Sequence, residues 1–445
     1  RNESTLHTHH SSHATRATMM HAPYRMDSPT SSEVQFDEAP ELILVTTYTN
    51  TEKLAHTPKC GDGEGIYAFD LNPTTGALTK RGSLAMTPNP AFLVKHPNLP
   101  RIYGTTECID QAGEIFTLNI DPTADAGVSF SGRVQAGGKS TCYINISEKT
   151  SQLVAVNYWD AKVCTLPLDN SGAVSEVSHT HAQPGSEYVD MHNPDRLEHW
   201  EYRQRWPHTH CAVTEPYSGE ERVFVCDLAK DCVEHFKLQP GGMQHTGTVQ
   251  LQAGLGPRHC IFHPRQKACY IVNELTSSVS FLRFNDKALD GQVEDSLTPG
   301  SVLEHVRTIS TLPVDWQDKQ TIKNGVWKAA SHCSEIRIHP SGKLLFVGNR
   351  GHDSLAIFKI NEEAGGDIEL GSIVPSGGAC PRNFNFSATG QWVIVGNQDS
   401  SNVTVFEADI ERGTMAKACV HDCPAPNFVY AVPAEPMVRV SSQGC

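Results

Sequence analysis

The stretch "CSEIRIHPSGKLLFVGNRGHDSLAIFKIN", residues 333–361, decides the fold because it is one copy of a recurring unit. It reads as a short alternating strand, a turn around Pro340 and Gly342, a second apolar strand ending at Asn349, a polar bend and a third strand. The scheme returns in "PRHCIFHPRQKACYIVNELTSSVSFLRFN" (257–285) and in "PRNFNFSATGQWVIVGNQDSSNVTVFEAD" (381–409). Asn273 and Asn397 then stand where this copy has Asn349, and an Asn recurring at one bend is first explained as a cap for that bend. Residues 90–120, 142–169 and 209–238 follow the same plan. A seventh copy is split, with "ELILVTTYTN" and "GIYAFDLN" near the start and "APNFVYAVP" near the end.

A repeat shared between the two ends of a chain is what a closed ring requires. Four-stranded antiparallel units joined head to tail fit an all-β, seven-bladed β-propeller, in which radial closure leaves only short strand edges. A linear solenoid would need capping repeats instead. The ring is expected to close by a C-terminal strand joining the N-terminal blade. The fourth strands are placed in segments such as 76–86 and 366–376, while 170–207 and 286–331 read as two long connections of the functional or mobile kind. The domain is bounded at 41–435, with a disordered Ser/Thr/His-rich tail at 1–40 and a short tail at 436–445.

Composition narrows the function. The formal charge is -14, with 36 Lys and Arg against 50 Asp and Glu and no basic run, which argues against a nucleic-acid partner. The 14 cysteines are scattered without a CxxC pair, so free thiols in a reducing compartment are expected, not a zinc module or a disulfide framework. No apolar run reaches the roughly 18 residues of a membrane span, and no signal peptide is recognised. A cytoplasmic protein is the expectation, with organelle targeting by the N-terminal tail left open. Nothing in the sequence indicates an oligomeric state.

In a propeller the start of each inner strand and the bend after each second strand face the same mouth of the central channel. The inner-strand positions are Cys142, His210, Arg258, Ser334 and Arg382, with Tyr143, His208, His259 and Glu335 beside them. The bend positions are Glu107, Tyr158, Leu228, Glu274, Arg350 and Gln398. Arg258, Arg350 and Arg382 therefore gather in an acidic protein, and their planar donor forks match carboxylate or phosphate oxygens. The His residues and Glu274 add groups able to move a proton. A small anionic ligand undergoing acid–base chemistry is the sharper reading; arginines paired with buried acids such as Asp353 or Glu335 are the plainer one. "HTH" at 208–210 places both imidazoles on one face of a regular strand, but no third ligand is adjacent, and no metal is assigned.

The motifs "NPAFLVKHP", "GPRHCIFHP", "YIVNELTSSVS", "EIRIHPSGKLLFVGNRGHDSLAIF" and "CPRNFNFSATGQWVIVGNQDSSNVTVF" resemble the lactonase family of seven-bladed propellers, over about residues 41–432. That family groups 6-phosphogluconolactonases with carboxymuconate cyclases. The resemblance implies hydrolysis of a small anionic lactone, or the making and breaking of a lactone in a carboxylated dienoic acid, with no cofactor. It carries His208, His210, Arg258, His259, Glu274, Arg350 and Arg382 over as cleft residues; Glu274, His208, His210 and Arg258 are expected to be catalytic, and His259, Arg350 and Arg382, with Gln398 from its bend position and Tyr143 from its strand position, to bind substrate. One departure is visible: where relatives commonly read "PCHV", this chain has "TCYI", so Tyr143 replaces a cleft histidine. That departure favours a third possibility, a non-enzymatic ligand-binding or scaffold propeller.

Overall fold

The structure is a computed structural model that describes residues 39–186, 203–289, 293–321 and 327–433. The proposed tails, apart from residues 39 and 40, lie outside the described residues. Seven antiparallel sheets follow one another along the chain. Blade 2 is typical: Pro90–Lys95, Arg101–Thr106, Glu114–Ile120 and Val128–Gln135 pair in chain order. Blade 1 is shared between the ends, because Pro426–Ala431 pairs antiparallel with Glu41–Thr47. Among the described residues helix is nearly absent beyond short 3-10 turns such as Thr51–Lys53, and no described helix is long and apolar enough to cross a membrane.

The apolar alternation of the strands buries a core between each pair of neighbouring blades. One such cluster joins Ile43, Val45, Tyr67 and Phe69 of blade 1 to Trp392, Ile394 and Val403 of blade 7. The recurrent Asn residues cap their bends while fully buried: Asn273 donates to Ser278 Oγ at 3.0 Å, Asn349 to Ser354 Oγ at 3.2 Å, and Asn397 to Asn402 Oδ1 at 2.9 Å. The bends of blades 3 to 7 each pass through a left-handed residue, Ala161, Asp231, Ser277, Asp353 and Ser401 in turn. At Asp353 the carboxylate holds this conformation by accepting from the amides of Gly351 (3.1 Å) and Cys380 (2.7 Å).

The two segments read as long connections contain blade strands. His179–Ala182 is the fourth strand of blade 3, and Leu303–Ser310 is the fourth strand of blade 5. Outer strands face solvent and carry weak alternation, which is why composition alone hid them. Val293–Asp295 adds a parallel fifth strand to blade 4, and Lys319–Thr321 pairs with Trp327–Ala329 in a small hairpin.

Candidate functional site

The inner strands share a feature that places the site. Each one shifts register against its second strand near its start. In blade 5 the pairing runs Pro257 with Asn273 and then His259 with Val272, so Arg258 is the unpaired residue. The same shift leaves Cys142, His210 and Arg382 unpaired. A bulge of this kind re-aims the extra side chain, here into the channel.

Two adjoining cavities with shared lining residues result. The upper one, about 70 Å³, is lined by Arg203, Arg258, Arg350 and Arg382 with Glu107, Glu274, His56, His210, Tyr158 and Cys142. The lower one, about 20 Å³, shares Arg258, Arg382, Glu107 and His210 and adds His259, Glu335 and Asn383. The second is roughly the size that holds a single water. A larger groove of 560 Å³ lies on the outer rim of blades 5 to 7, where its charges pair with each other, as Arg307 does with Asp367 at 2.9 Å.

Glu274 sits at the centre of the upper cavity and is only 2% exposed. Arg203 reaches its Oε1 at 2.7 Å, while Arg258 Nε and Arg350 approach Oε2 at 3.1 Å each. Burial pushes its carboxyl upward, but Arg203, Arg350 and Arg258 together outweigh that and hold it well below the usual carboxylate range. Arg258 also donates to Ser334 O at 2.7 Å, and Arg350 to Cys333 O at 2.7 Å. Burial and the neighbouring Arg350 bring the Arg258 guanidinium down to about 10, so it stays charged at neutral pH. Arg350 Nε is buried without a hydrogen-bond partner among the described residues.

Glu107 is the second cavity carboxylate. It accepts from Tyr48 Oη at 3.1 Å and lies 3.7 Å from Arg382, which itself stands over the Tyr48 ring. The histidines divide by role. His210 projects between the cavities, 3.8 Å from Cys142 Sγ, and burial with Arg258 and His259 beside it keeps it neutral. His259 lines the lower cavity, 3.4 Å from Glu335. Burial raises the Glu335 carboxyl, but Arg337 and His259 overcome it and leave it at about 2.

His208 and His210 both meet the Tyr158 ring, His210 edge-on at 5.3 Å, yet they are not equivalent strand positions. The bulge at His210 breaks the alternation, and His208, preceding the strand Thr209–Thr214, stacks on Tyr158 at 4.5 Å and bonds Tyr158 O at 3.0 Å. His208 lines neither cavity. Tyr143 also lies in the wall, against Phe92 (4.1 Å between centroids) and His259 (5.3 Å). Gln398 reaches the site through His56, which it meets at 3.2 Å. The remaining expected residues, Glu274, His210, Arg258, His259, Arg350 and Arg382, converge on the two cavities.

Five of the upper-cavity side chains named above lie outside the expected set. Glu107, Tyr158 and Cys142 occupy recognised bend or strand positions, so the repeat alignment pointed at them. Arg203 lies in a segment read as a connection, and only the basic cluster "EYRQRW" just before "HTH" signalled it. His56 follows the first strand in a polar loop and left no signal.

The sequence profile described as "Lactonase, 7-bladed beta-propeller" matches residues 42–432. The chain is 28% identical over 359 residues to a 6-phosphogluconolactonase of Bacillus subtilis (strain 168), an alignment covering 80% of this chain and 90% of that protein. It is also 28% identical over 364 residues to a protein of the same name from Formosa agariphila, covering 80% and 91%. Among solved structures, the periplasmic gluconolactonase PpgL of Pseudomonas aeruginosa superposes with a TM-score of 0.70 at 22% identity, covering 88% of this chain and 98% of that one, a likeness of fold. With the profile spanning nearly the whole ring, the chain belongs to the lactonase family of seven-bladed β-propellers.

Proposed function

We propose that this chain opens a small anionic lactone, of the 6-phosphogluconolactone kind, by attack of water in the channel. The observation that carries the reading is the clamp of guanidinium groups on one buried carboxylate. Four arginines face two carboxylates in the upper cavity, leaving two positive charges for a ligand. A phosphate monoester carries about -1.5 to -2 at neutral pH. The two relatives named 6-phosphogluconolactonase add support.

Arg350 and Arg382 hold the anionic group, and Arg258 stabilises the oxyanion that forms on the lactone carbonyl. Glu274 is a weak base among three arginines, so its part is to hold their forks in place. Glu107 is the carboxylate with the least cationic contact, and it lines both cavities. It takes the proton of the attacking water. The tetrahedral intermediate collapses, the ring C–O bond breaks, and Glu107 returns the proton to the departing alkoxide, giving a hydroxy acid. His210, neutral between the cavities, orients the water. The upper cavity is far below the roughly 300 Å³ of a ligand site, so the Arg203 side chain swings off Glu274 to admit substrate.

The test is hydrolysis of 6-phosphogluconolactone followed against the spontaneous rate. Glu107→Gln is expected to lower kcat by about 10²–10⁴ with little change in KM, and Arg350→Ala to raise KM. No acceleration by the wild type, or turnover of 3-carboxymuconate in its place, overturns the reading.

A further inference from the structure

Behind the channel wall, in the core between blades 4 and 5, lies a cluster of thiols that the reaction does not use. Cys211 and Cys226 face each other across the first two strands of blade 4, and Cys260 comes from the inner strand of blade 5. The ligand atoms of these three lie within 4.8 Å of one another, and Cys211 Sγ is 4.0 Å from Cys260 Sγ. Cys269, on the second strand of blade 5, neighbours Cys260 but lies outside that group of three. Among the described residues no other set of His, Cys, Asp or Glu side chains converges in this way.

We propose that Cys211, Cys226 and Cys260, with Cys269 as fourth ligand, form a site for a thiophilic d10 cation, Zn(II) or Cu(I). With metal–sulfur bonds of about 2.3 Å, ligating sulfurs stand roughly 3.8–4.0 Å apart. The Cys211–Cys260 separation already meets that spacing, Cys226 needs to move by less than about 1 Å, and Cys269 swings in from beside Cys260 to close the shell. Sulfur-only donors select soft cations over Mg(II) or Ca(II). Small apolar thiols also fill cores without binding anything; what sets these apart is convergence of three strands on one point.

Thiolates buried in an apolar core need compensation, and two sources of it adjoin. The cation supplies most of it, and the arginine-rich channel lies just beyond His210 and His259, the residues that precede Cys211 and Cys260. Burial pushes the Cys211 thiol up to about 12, so the metal-free cluster is protonated and binding releases protons. Occupancy would pin the backbone carrying both channel histidines and staple blade 4 to blade 5.

The experiment uses the full chain, reduced and stripped of metal with a chelator, and titrated with Cd(II) as probe. A thiolate-to-cadmium absorption saturating at one equivalent is expected, with a higher Tm, and affinity should weaken as pH falls. Competition by Zn(II), and separately by Cu(I) under anaerobic conditions, ranks the two cations. Cys226→Ser should weaken binding at least about tenfold, whereas Cys60→Ser, outside the cluster, should not. X-ray absorption of the wild type loaded with Zn(II) gives a readout that no variant's folding can confound: a first shell of sulfur alone is expected. No saturable absorption, absorption that Cys226→Ser leaves intact, or a nitrogen and oxygen shell would each show that the thiols only fill space.

Discussion

His208 shows how a residue can match a functional motif and act on stability. Its ring is buried against Tyr158, and that burial lowers its pKa to about 4. The unfolded imidazole takes up a proton below about 6.5 and the folded one resists until about 4, so stability present above pH 6.5 is lost as pH falls to 4. The span corresponds to about 3 kcal/mol. His208→Phe keeps the ring stack and removes the proton site, so its Tm should fall less than that of the wild type between pH 6.5 and 4. An unchanged slope would mean that the remaining histidines carry the whole effect. At the same scale, Arg258, Arg350, Arg382 and Glu274 were legible because a charged residue at a recurrent turn position departs from the frame around it. Arg203 was not, since it belongs to no repeat.

At the scale of elements, strands two and three were legible from apolar runs ending at Asn, and inner strands from their alternation. Of the outer strands, those placed at 76–86 and 366–376 match Leu78–Ala85 and Asp367–Pro375, whereas His179–Ala182 was hidden, because largely exposed positions tolerate any polarity. The bulges were invisible too: an unpaired residue exists only relative to a partner strand. Blade contacts provide the test here. Trp392 is 3% exposed in the core between blades 7 and 1, and its Nε1 donates to Pro73 O at 2.7 Å. Its ring is so close to Gly76 that a Cβ there would stand 2.4 Å away. Trp392→Ala should cost about 3–5 kcal/mol, read by urea denaturation; a loss under about 1 kcal/mol would mean that the blade contact closes up without it.

For the molecule as a whole, the ring turns sequence-distant residues into neighbours. Arg203, Arg258 and Arg350 meet on Glu274 from three separate segments, and Arg382 meets Glu107 across 275 positions of chain. Gathering like charges in one channel raises the free energy of the empty state, and an anion relieves it. Inorganic phosphate at a hundredfold excess over its Kd should therefore add about 2.7 kcal/mol, seen as a higher Tm. Chloride at equal ionic strength should not, and Arg350→Ala should lose the gain. A rise equal in both salts would locate the effect in general screening.

The sequence by itself determined the seven-fold repeat, the closure of the ring by its two ends and the circle of positions from which a site is built, because each follows from local periodicity and from turn chemistry repeated along the chain. Only the tertiary structure decided which of those side chains enter the channel. A bulge makes His210 the unpaired residue of its strand, three arginines pair with Glu274, and three thiols from two blades converge behind the wall. Register, burial and charge pairing are properties of two segments at once, and they come into being when the blades pack.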